Sequence, residues 1–592
     1  MIHIIRMTMK YFLNILIAAV LCCGFVACDD KGSEISEPIR TSVVTLSKSS
    51  VDLSYEEGSY SRLKVTVPRF GWKAECDADW LTITPNSTDV IGAVEVVILA
   101  KENTGAEPRQ TEVVFSSGNV SRTLVVTQVG YGQEVNDVKH PDGNANKWMF
   151  EMLETWYLWN DLLKNTYPDY VCDYDDFLSN TLIPLKGNEM DGGRYEDGSR
   201  YLYSYVTRKA SSRAGVGHSA FGFATLTAVN IDNNKVYLRV TSVNPDSPAD
   251  RVGIMRGVYI GRVNGLDITV ANWSSMYNRL LYPTTGSVSV TVMSSTEYGG
   301  EFSFNEDYTV TLSAANIGNH PVVASDIIEY GGRRVGYVAY NSFTRGPVDS
   351  STEYDADLER VFETFETEGI NELVVDLRYN GGGSVSSCQK LLSMIAPKEK
   401  LGQKAFTLRH NTSIEEQLGD DEKIIKLLEN YSNVNMSRVY VITSDMTASA
   451  SEMVIVGLRG LDVDVTVVGI DTEGKNVGMD VMGKHIDGYD YTFAPITFQI
   501  YNAKGFTDYS QGIRADYKVD EWEDLRSDGW KPLGDPEEVV LKMVLNLIDG
   551  SRAVAEPTRS SARPKGVEKI RFTDPQRSMG ALIYADDNFN QK

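Results

Sequence analysis

Residues 441–457 read VITSDMTASASEMVIVG. The stretch opens on an apolar run of strand character, passes through small hydroxyl-bearing residues, and takes on helical character from Glu452. A strand that turns straight into a helix is the repeating unit of an α/β core. The turn carries three hydroxyls on alternate positions, Thr447, Ser449 and Ser451. A hydroxyl is a poor nucleophile unless a neighbour takes its proton, and no histidine lies within thirty residues of Ser449 on either side. The next residue type able to serve is a lysine held neutral by burial. TVVGIDTEGKNVG (466–478) supplies Lys475, at a strand end and beside apolar Val467, Val468 and Met479. Keeping that amine neutral near pH 7 costs roughly 4 kcal/mol.

The same pattern extends in both directions. RVGYVAYNSF (334–343), a helix from Glu353 to Thr367, NELVVDLRYNGGGS (371–384), a helix over CQKLLSMI (388–395), RVYVITS (438–444), the helix after Ser449 and DVTVVG (464–469) alternate as β–α–β with parallel pairing. Upstream, Met152, Trp156, Trp159 and Leu163 recur at helical spacing and read as a core-facing stripe. Residues 43–130 hold short alternating strands (SVVTLS, RLKVTV, VEVVILA, TEVVFSS, RTLVVTQ) at near ten-residue spacing, the text of a β-sandwich. The tail 551–592 lacks periodicity and is expected to be poorly structured.

Composition bounds the rest. A chain of 592 residues is too long for one core. The N-terminus, with Arg6 and Lys10 ahead of YFLNILIAAVLCCGFVAC, has the form of a secretory signal, residues 1–27, rather than of a spanning helix. Its removal takes away two basic residues and no acidic ones, so the net charge of −24 becomes −26. Such a chain repels nucleic acid and anionic membrane surfaces. Beyond Cys28 only Cys76, Cys172 and Cys388 remain, which is neither a disulfide framework nor a zinc spacing. Six scattered histidines argue against a metal hydrolase, and no metal or organic cofactor is expected.

Four resemblances sharpen this reading. FVAC ending at Cys28 resembles a bacterial lipobox, which implies lipidation of Cys28, an outer-membrane anchor in the cell envelope, and a tether over 28–42. Trp72, Trp80, ADWLTITP and LVVTQVG resemble BACON modules, for which carbohydrate contact has been proposed; a spacer role is the plainer alternative. VTSVNPDSPADRVGIMRGVYIGRVNG (240–265) resembles PDZ domains, with Val258 where Asp is usual. That resemblance places a PDZ-like domain at 206–300 and makes the loop Phe221-Gly222-Phe223 of SAFGFATL the site where a peptide's carboxylate meets backbone N–H groups, as the ligand adds as a strand. Finally, LVVDLRYNGGG, TASASE and GKNVG, in this order with a PDZ ahead of them, resemble the C-terminal processing (tail-specific) serine proteases, with GIRADYKV (512–519) and LGDPEEVVLKMVL (533–545) extending the likeness.

The resemblance implies a multidomain α+β chain with a helical region at 140–205 and a crotonase-like α/β protease core at 301–550. It implies Ser449 as nucleophile, Lys475 as general base, and an oxyanion hole from the backbone of Ala450 and of Gly381 or Gly382. Thr447 reads as turn or cap, Ser451 as facing elsewhere, and Asp376 with Arg378 as a supporting ion pair. Two departures stand out. Met479 occupies the place of a glutamine that often orients the lysine, leaving Asn476 or a carbonyl for that task, and the Ser449–Lys475 spacing is one residue longer than usual. The expected substrates are proteins or peptides. The competing readings are a catalytically inactive peptide- or glycan-binding surface lipoprotein and a crotonase-type enzyme acting on a thioester.

Overall fold

A computed structural model describes residues 44–551, apart from short internal segments of which 134–139 and 211–218 are the longest, together with 568–569. The expected signal peptide, Cys28 and the tether lie outside the described residues. The chain divides into two compact units between Asp137 and Val138.

The first unit is two sheets face to face. One runs Thr45–Leu46, Tyr60–Val67, Gly92–Ala100, Leu81–Thr84; the other Ser50–Leu53, Val120–Gln128, Arg109–Ser117, Trp72–Glu75, Ser87–Thr88. Every second residue turns inward, so Leu63, Val65, Val67, Val96, Ile98, Val113, Phe115, Leu124 and Val126 form one core. Trp72 is buried in it, edge-on to Phe115 at 5.4 Å. Trp80 is half-buried with the Arg109 guanidinium 4.5 Å above its ring. Neither tryptophan is thus the open platform that sugar stacking requires.

The second unit begins with α1 (Gly143–Trp156), which buries Ala145, Trp148, Met149, Phe150 and Leu153. Leu163 is buried in this core and Met152 and Trp159 pack against it, as expected of the stripe, but the stripe does not stay on one helix. The helix ends because Tyr157 turns to φ −58° and ψ 133° and Leu158 gives its N–H to the Ile496 carbonyl, leaving Leu163 in a separate short turn. A β-rich region follows: β1 (Phe223–Asp232), β2 (Lys235–Val243), β3 (Tyr259–Val263), α2 (Trp273–Leu281), β4 (Ser287–Tyr298) and β5 (Glu301–Ser313). The strands form an antiparallel sheet ordered β5-β4-β3-β2-β1, with α2 burying Tyr277 and Leu280 against it.

The core supplies β6 (Val322–Tyr330), β7 (Arg333–Tyr340), α3 (Glu353–Glu368), β8 (Glu372–Asp376), α4 (Val385–Ile395), β9 (Arg438–Thr443), α5 (Ala450–Gly460), β10 (Asp464–Gly469), β11 (Val477–Met479), β12 (Ile496–Asn502), β13 (Tyr517–Lys518) and α6 (Val539–Asp549). Its central sheet runs β6-β7-β8-β9-β10-β13, parallel throughout except for the β6–β7 hairpin. Successive residues alternate between faces. Val338, Tyr340, Val375 and Val441 meet α3, α4 and α5, whereas Val335, Tyr337, Val374 and Ile442 meet α6. A sheet covered on both sides explains why its strands are nearly continuous apolar runs.

The tail departs from expectation in one place. Glu568–Lys569 form a strand, β14, which adds antiparallel to the outer edge of β1.

Candidate active site

The site lies at the carboxyl ends of β8 and β9, where open parallel sheets hold their ligands. The loop after β8 (377–384) and the turn after β9 (444–449) are stitched together. Thr447 Oγ1 donates to the Leu377 carbonyl at 2.9 Å and accepts the Ser444 N–H at 2.9 Å. Ser451 Oγ donates to the Asn380 carbonyl at 2.9 Å. Ala448 gives its N–H to that same carbonyl at 3.2 Å. Of the three hydroxyls in the turn, two are therefore consumed by structure. The third, on Ser449, is fully buried and has no hydrogen-bond partner among the described residues. An unsatisfied buried hydroxyl costs about 1–3 kcal/mol. Ser449 also sits at φ +63° and ψ −116°, a conformation that L-residues rarely adopt and that surrounding structure must impose.

What imposes it is Glu452, which sequence reading passed over. This buried carboxylate accepts the Ser449 N–H through Oε2 at 2.8 Å and the Lys475 N–H through the same oxygen at 2.8 Å. The two backbone nitrogens thus lie no further apart than twice that distance. Oε1 takes the Gly474 N–H at 2.8 Å and the Thr472 hydroxyl at 2.5 Å. Burial pushes the Glu452 carboxyl up to about 7, while these four donors favour the ionised form. The signal was available: an acid three residues after a serine at a helix start is the pattern by which a side chain reaches back to the N-cap amide.

Lys475 is buried, and its Nζ lies 4.9 Å from the centre of the Tyr203 ring. Burial brings its pKa down to about 8, against the carboxylates of Asp191, Glu473 and Glu452, which favour the ammonium. Glu473 accepts the hydroxyls of Tyr201 and Tyr203, so its charge is partly occupied. Val477 and Met479 are fully buried in the apolar cluster of Trp148, Leu153 and Tyr157, which forms a dry wall nearby. Asn476 does not orient the lysine. Its amide donates to the Thr507 carbonyl at 2.8 Å, and Lys475 Nζ has no hydrogen-bond partner among the described residues. The structure brings the two backbones together, therefore, but does not join the Ser449 hydroxyl to the Lys475 amine. Catalytic hydrogen bonds are often long at rest and tighten in the substrate complex.

Of the expected oxyanion donors, Ala450 opens α5, where its N–H has no intrahelical acceptor. The Gly382 N–H, by contrast, donates to Asn380 Oδ1 at 2.8 Å and is engaged within its own loop. Gly382 has φ +108°, and a Cβ there would lie 2.8 Å from Ser449 Cβ and 2.9 Å from both Ala448 O and Ala450 N. Gly382→Ala is expected to push the start of α5, to lower turnover of any substrate attacked by Ser449 by roughly 10², and to lower the melting temperature as well, since alanine is strained at this φ; steady-state kinetics at a temperature where the variant is still folded, beside a melting curve, would check it.

The Phe221-Gly222-Phe223 loop lies at the start of β1. Both phenylalanine side chains are buried in the core of the β-rich region. The Phe221 and Gly222 carbonyls accept the N–H groups of Ala249 and Asn244 at 2.9 and 2.8 Å. The loop thus offers a ligand only main-chain groups. Asp376 and Arg378 pair as expected, at 2.8 Å. Tyr203 and Asp191 had no readable signal, being some 270 residues from Lys475.

With this geometry in hand, comparison with known proteins is informative. Residues 334–519, which include Ser449 and Lys475, match the family model described as Peptidase family S41. The match takes in the whole central sheet from β7 to β13. Residues 70–129 match the BACON family, described as "Putative binding domain, N-terminal". A crystal structure from Bacteroides fragilis NCTC 9343, described as "Putative S41 protease", superposes with a TM-score of 0.57 at 26% identity, covering 71% of this chain and 99% of its own. The photosystem II D1 C-terminal processing protease gives a TM-score of 0.38 at 16% identity over 64% of this chain and 93% of its own. Mature CPAF complexed with lactacystin gives 0.35 at 11% over 69% and 97%. No curated protein matches the chain. The S41 domain and the Bacteroides fragilis neighbour support a serine-type peptidase whose substrates are proteins or peptides.

Proposed function

We propose that the chain is an envelope-anchored serine endopeptidase that works by a Ser449–Lys475 dyad on protein substrates caught by their C-terminal tails in a PDZ-like region. The observation that carries this reading is the pair of buried side chains, one hydroxyl and one amine, that lack hydrogen-bond partners among the described residues while their backbones share one Glu452 oxygen. In the proposed reaction Ser449 Oγ attacks the peptide carbonyl carbon as Lys475 Nζ takes the hydroxyl proton. The Ala450 and Gly381 N–H groups hold the resulting oxyanion. The C–N bond then breaks, the lysine returns its proton to the leaving amine, and water releases the acyl group from Ser449. Capture is assigned to the main chain of the 221–223 loop and the edge of β1. Anchoring is assigned to Cys28.

Purified chain and its Ser449→Ala and Lys475→Ala variants, incubated with unfolded casein and followed by mass spectrometry, should yield fragments from the unsubstituted chain alone. The inactive-binder reading draws on the missing hydrogen bond between the two side chains. Intact casein that co-purifies with all three proteins would establish it and remove the hydrolase.

A further inference from the structure

Strand β14 sits where a ligand strand would. β1 closes one side of the antiparallel sheet, and without the tail its outer row of backbone groups would be open to any extended chain. In the structure Lys569 stands opposite Val229 and Glu568 opposite Asn230. Since the pairing is antiparallel, the strand runs from Glu568 to Lys569 in the direction of the Phe223 end of β1, where the loop assigned above to carboxylate capture lies. That is the polarity required of a peptide whose C-terminus enters the loop. Sequence supports the fit. VEKIRF (567–572) combines β-branched and aromatic residues with flanking charges, and residues 552–577 carry seven Lys or Arg against three Asp or Glu in a chain of net charge −24.

We propose that the segment around Glu568–Lys569 is a built-in occupant of the β1 edge, competing from within the chain with extended peptides that arrive from outside. The inference rests on the peptide-capture part of the proposed function, not on the dyad. Residues 552–567 connect the segment to the end of α6. A tether of this length sets an effective concentration on the order of millimolar, so an incoming peptide of ordinary affinity is outcompeted until it is abundant or binds at several points. Regulation then lies in release of the tail, and proteins that present long extended ends are favoured over short peptides.

The test uses the full chain carrying Ser449→Ala, so that nothing is cleaved, with and without the pair Glu568→Pro and Lys569→Pro. Adjacent residues of a strand point their N–H groups to opposite sides, so the two prolines together must remove a donor facing β1. A fluorescein-labelled synthetic peptide of residues 563–576 is titrated into each protein, and amide exchange of the 223–232 segment is followed by mass spectrometry. The proline variant should bind the peptide at least tenfold more tightly, exchange faster over 223–232 when free, and regain protection with peptide. Equal affinity in both proteins, or unchanged exchange over 223–232, overturns the proposal, as does faster exchange with no peptide binding at millimolar concentration. A melting temperature equal in both proteins shows that the prolines left the core intact. Failure of casein cleavage would leave every one of these readings unaffected, so the two hypotheses fall separately.

Discussion

Casein hydrolysis is expected to rise with pH through a midpoint near 8 and to fall roughly 10²–10⁴-fold in Lys475→Ala, the range that a positioned proton acceptor contributes. The direction follows from the role. Only the neutral amine can accept the Ser449 proton, and burial lowers the pKa of Lys475 from the ordinary 10.5 to about 8. Below that value the ammonium dominates, and at pH 7 about a tenth of the molecules carry the competent base. The rate should therefore climb nearly tenfold per pH unit between 6 and 7 and level off above pH 9. Lys475→Arg is the informative control. It keeps a long basic side chain but stays a cation at every accessible pH, and it should be as inactive as alanine. A lysine serving only as packing would tolerate that replacement and give a flat profile. An unsubstituted chain with no pH dependence between 6 and 9, together with an active Lys475→Arg, would remove the dyad. The Lys475 amine has no hydrogen-bond partner among the described residues, so the profile should report its burial and three neighbouring carboxylates rather than one paired acid.

Much of this was legible in the sequence, for identifiable reasons. The central strands are buried on both faces, so each is an unbroken apolar run, and the helices between them are long enough to show their own period. The candidate nucleophile could be narrowed to three hydroxyls by spacing, but not to one by spacing alone. That decision needed the carbonyls of Leu377 and Asn380, which lie on another strand's loop. Glu452 was readable as a capping residue, yet its second bond, to the Lys475 amide, joins segments that only the fold brings together. The same holds for Tyr203 under the Lys475 amine. The choice between Gly381 and Gly382 was open because glycine permits both a close approach and a free N–H, and sequence does not say which is used; Asn380 takes the N–H of Gly382. The stripe after Trp156 left its helix where a strand carbonyl, that of Ile496, outcompeted the next helical turn. Two paired residues in a long aperiodic tail carry too short a pattern to be seen.

The largest expected effect on stability comes from Arg378→Met, which should destabilise the second unit by about 3–5 kcal/mol. Arg378, in the loop after β8, is buried among three carboxylates. It meets Asp376 at 2.8 Å, Glu521 at 2.7 Å and Glu538 at 2.9 Å, while Arg256, from the β-rich region, meets Glu521 at 2.6 Å. Tyr337 and Tyr379 hydroxyls donate into the cluster at 2.7 and 2.5 Å. Methionine fills much of the volume but leaves Asp376 without a cation and Glu538 without its main one, and removing one partner of a buried ionic group costs far more than the group contributes net. The pH dependence discriminates this from a packing loss. Burial would raise the Glu538 carboxyl, but Arg378 and Arg256 outweigh it and hold the pKa at about 2. A depressed acid contributes stability that is complete above its unfolded pKa, ordinarily 4.5, and is lost as pH falls toward 2. Urea midpoints of the unsubstituted chain and Arg378→Met should therefore lie far apart at pH 7 and converge below pH 4. A gap that stayed constant with pH would mean that the variant had merely left a cavity. Activity has its own reading here, because Arg378 and Tyr379 lead directly into Asn380, Gly381 and Gly382. Turnover lost at temperatures where the variant is still folded would show that the charge cluster also sets the position of the oxyanion loop.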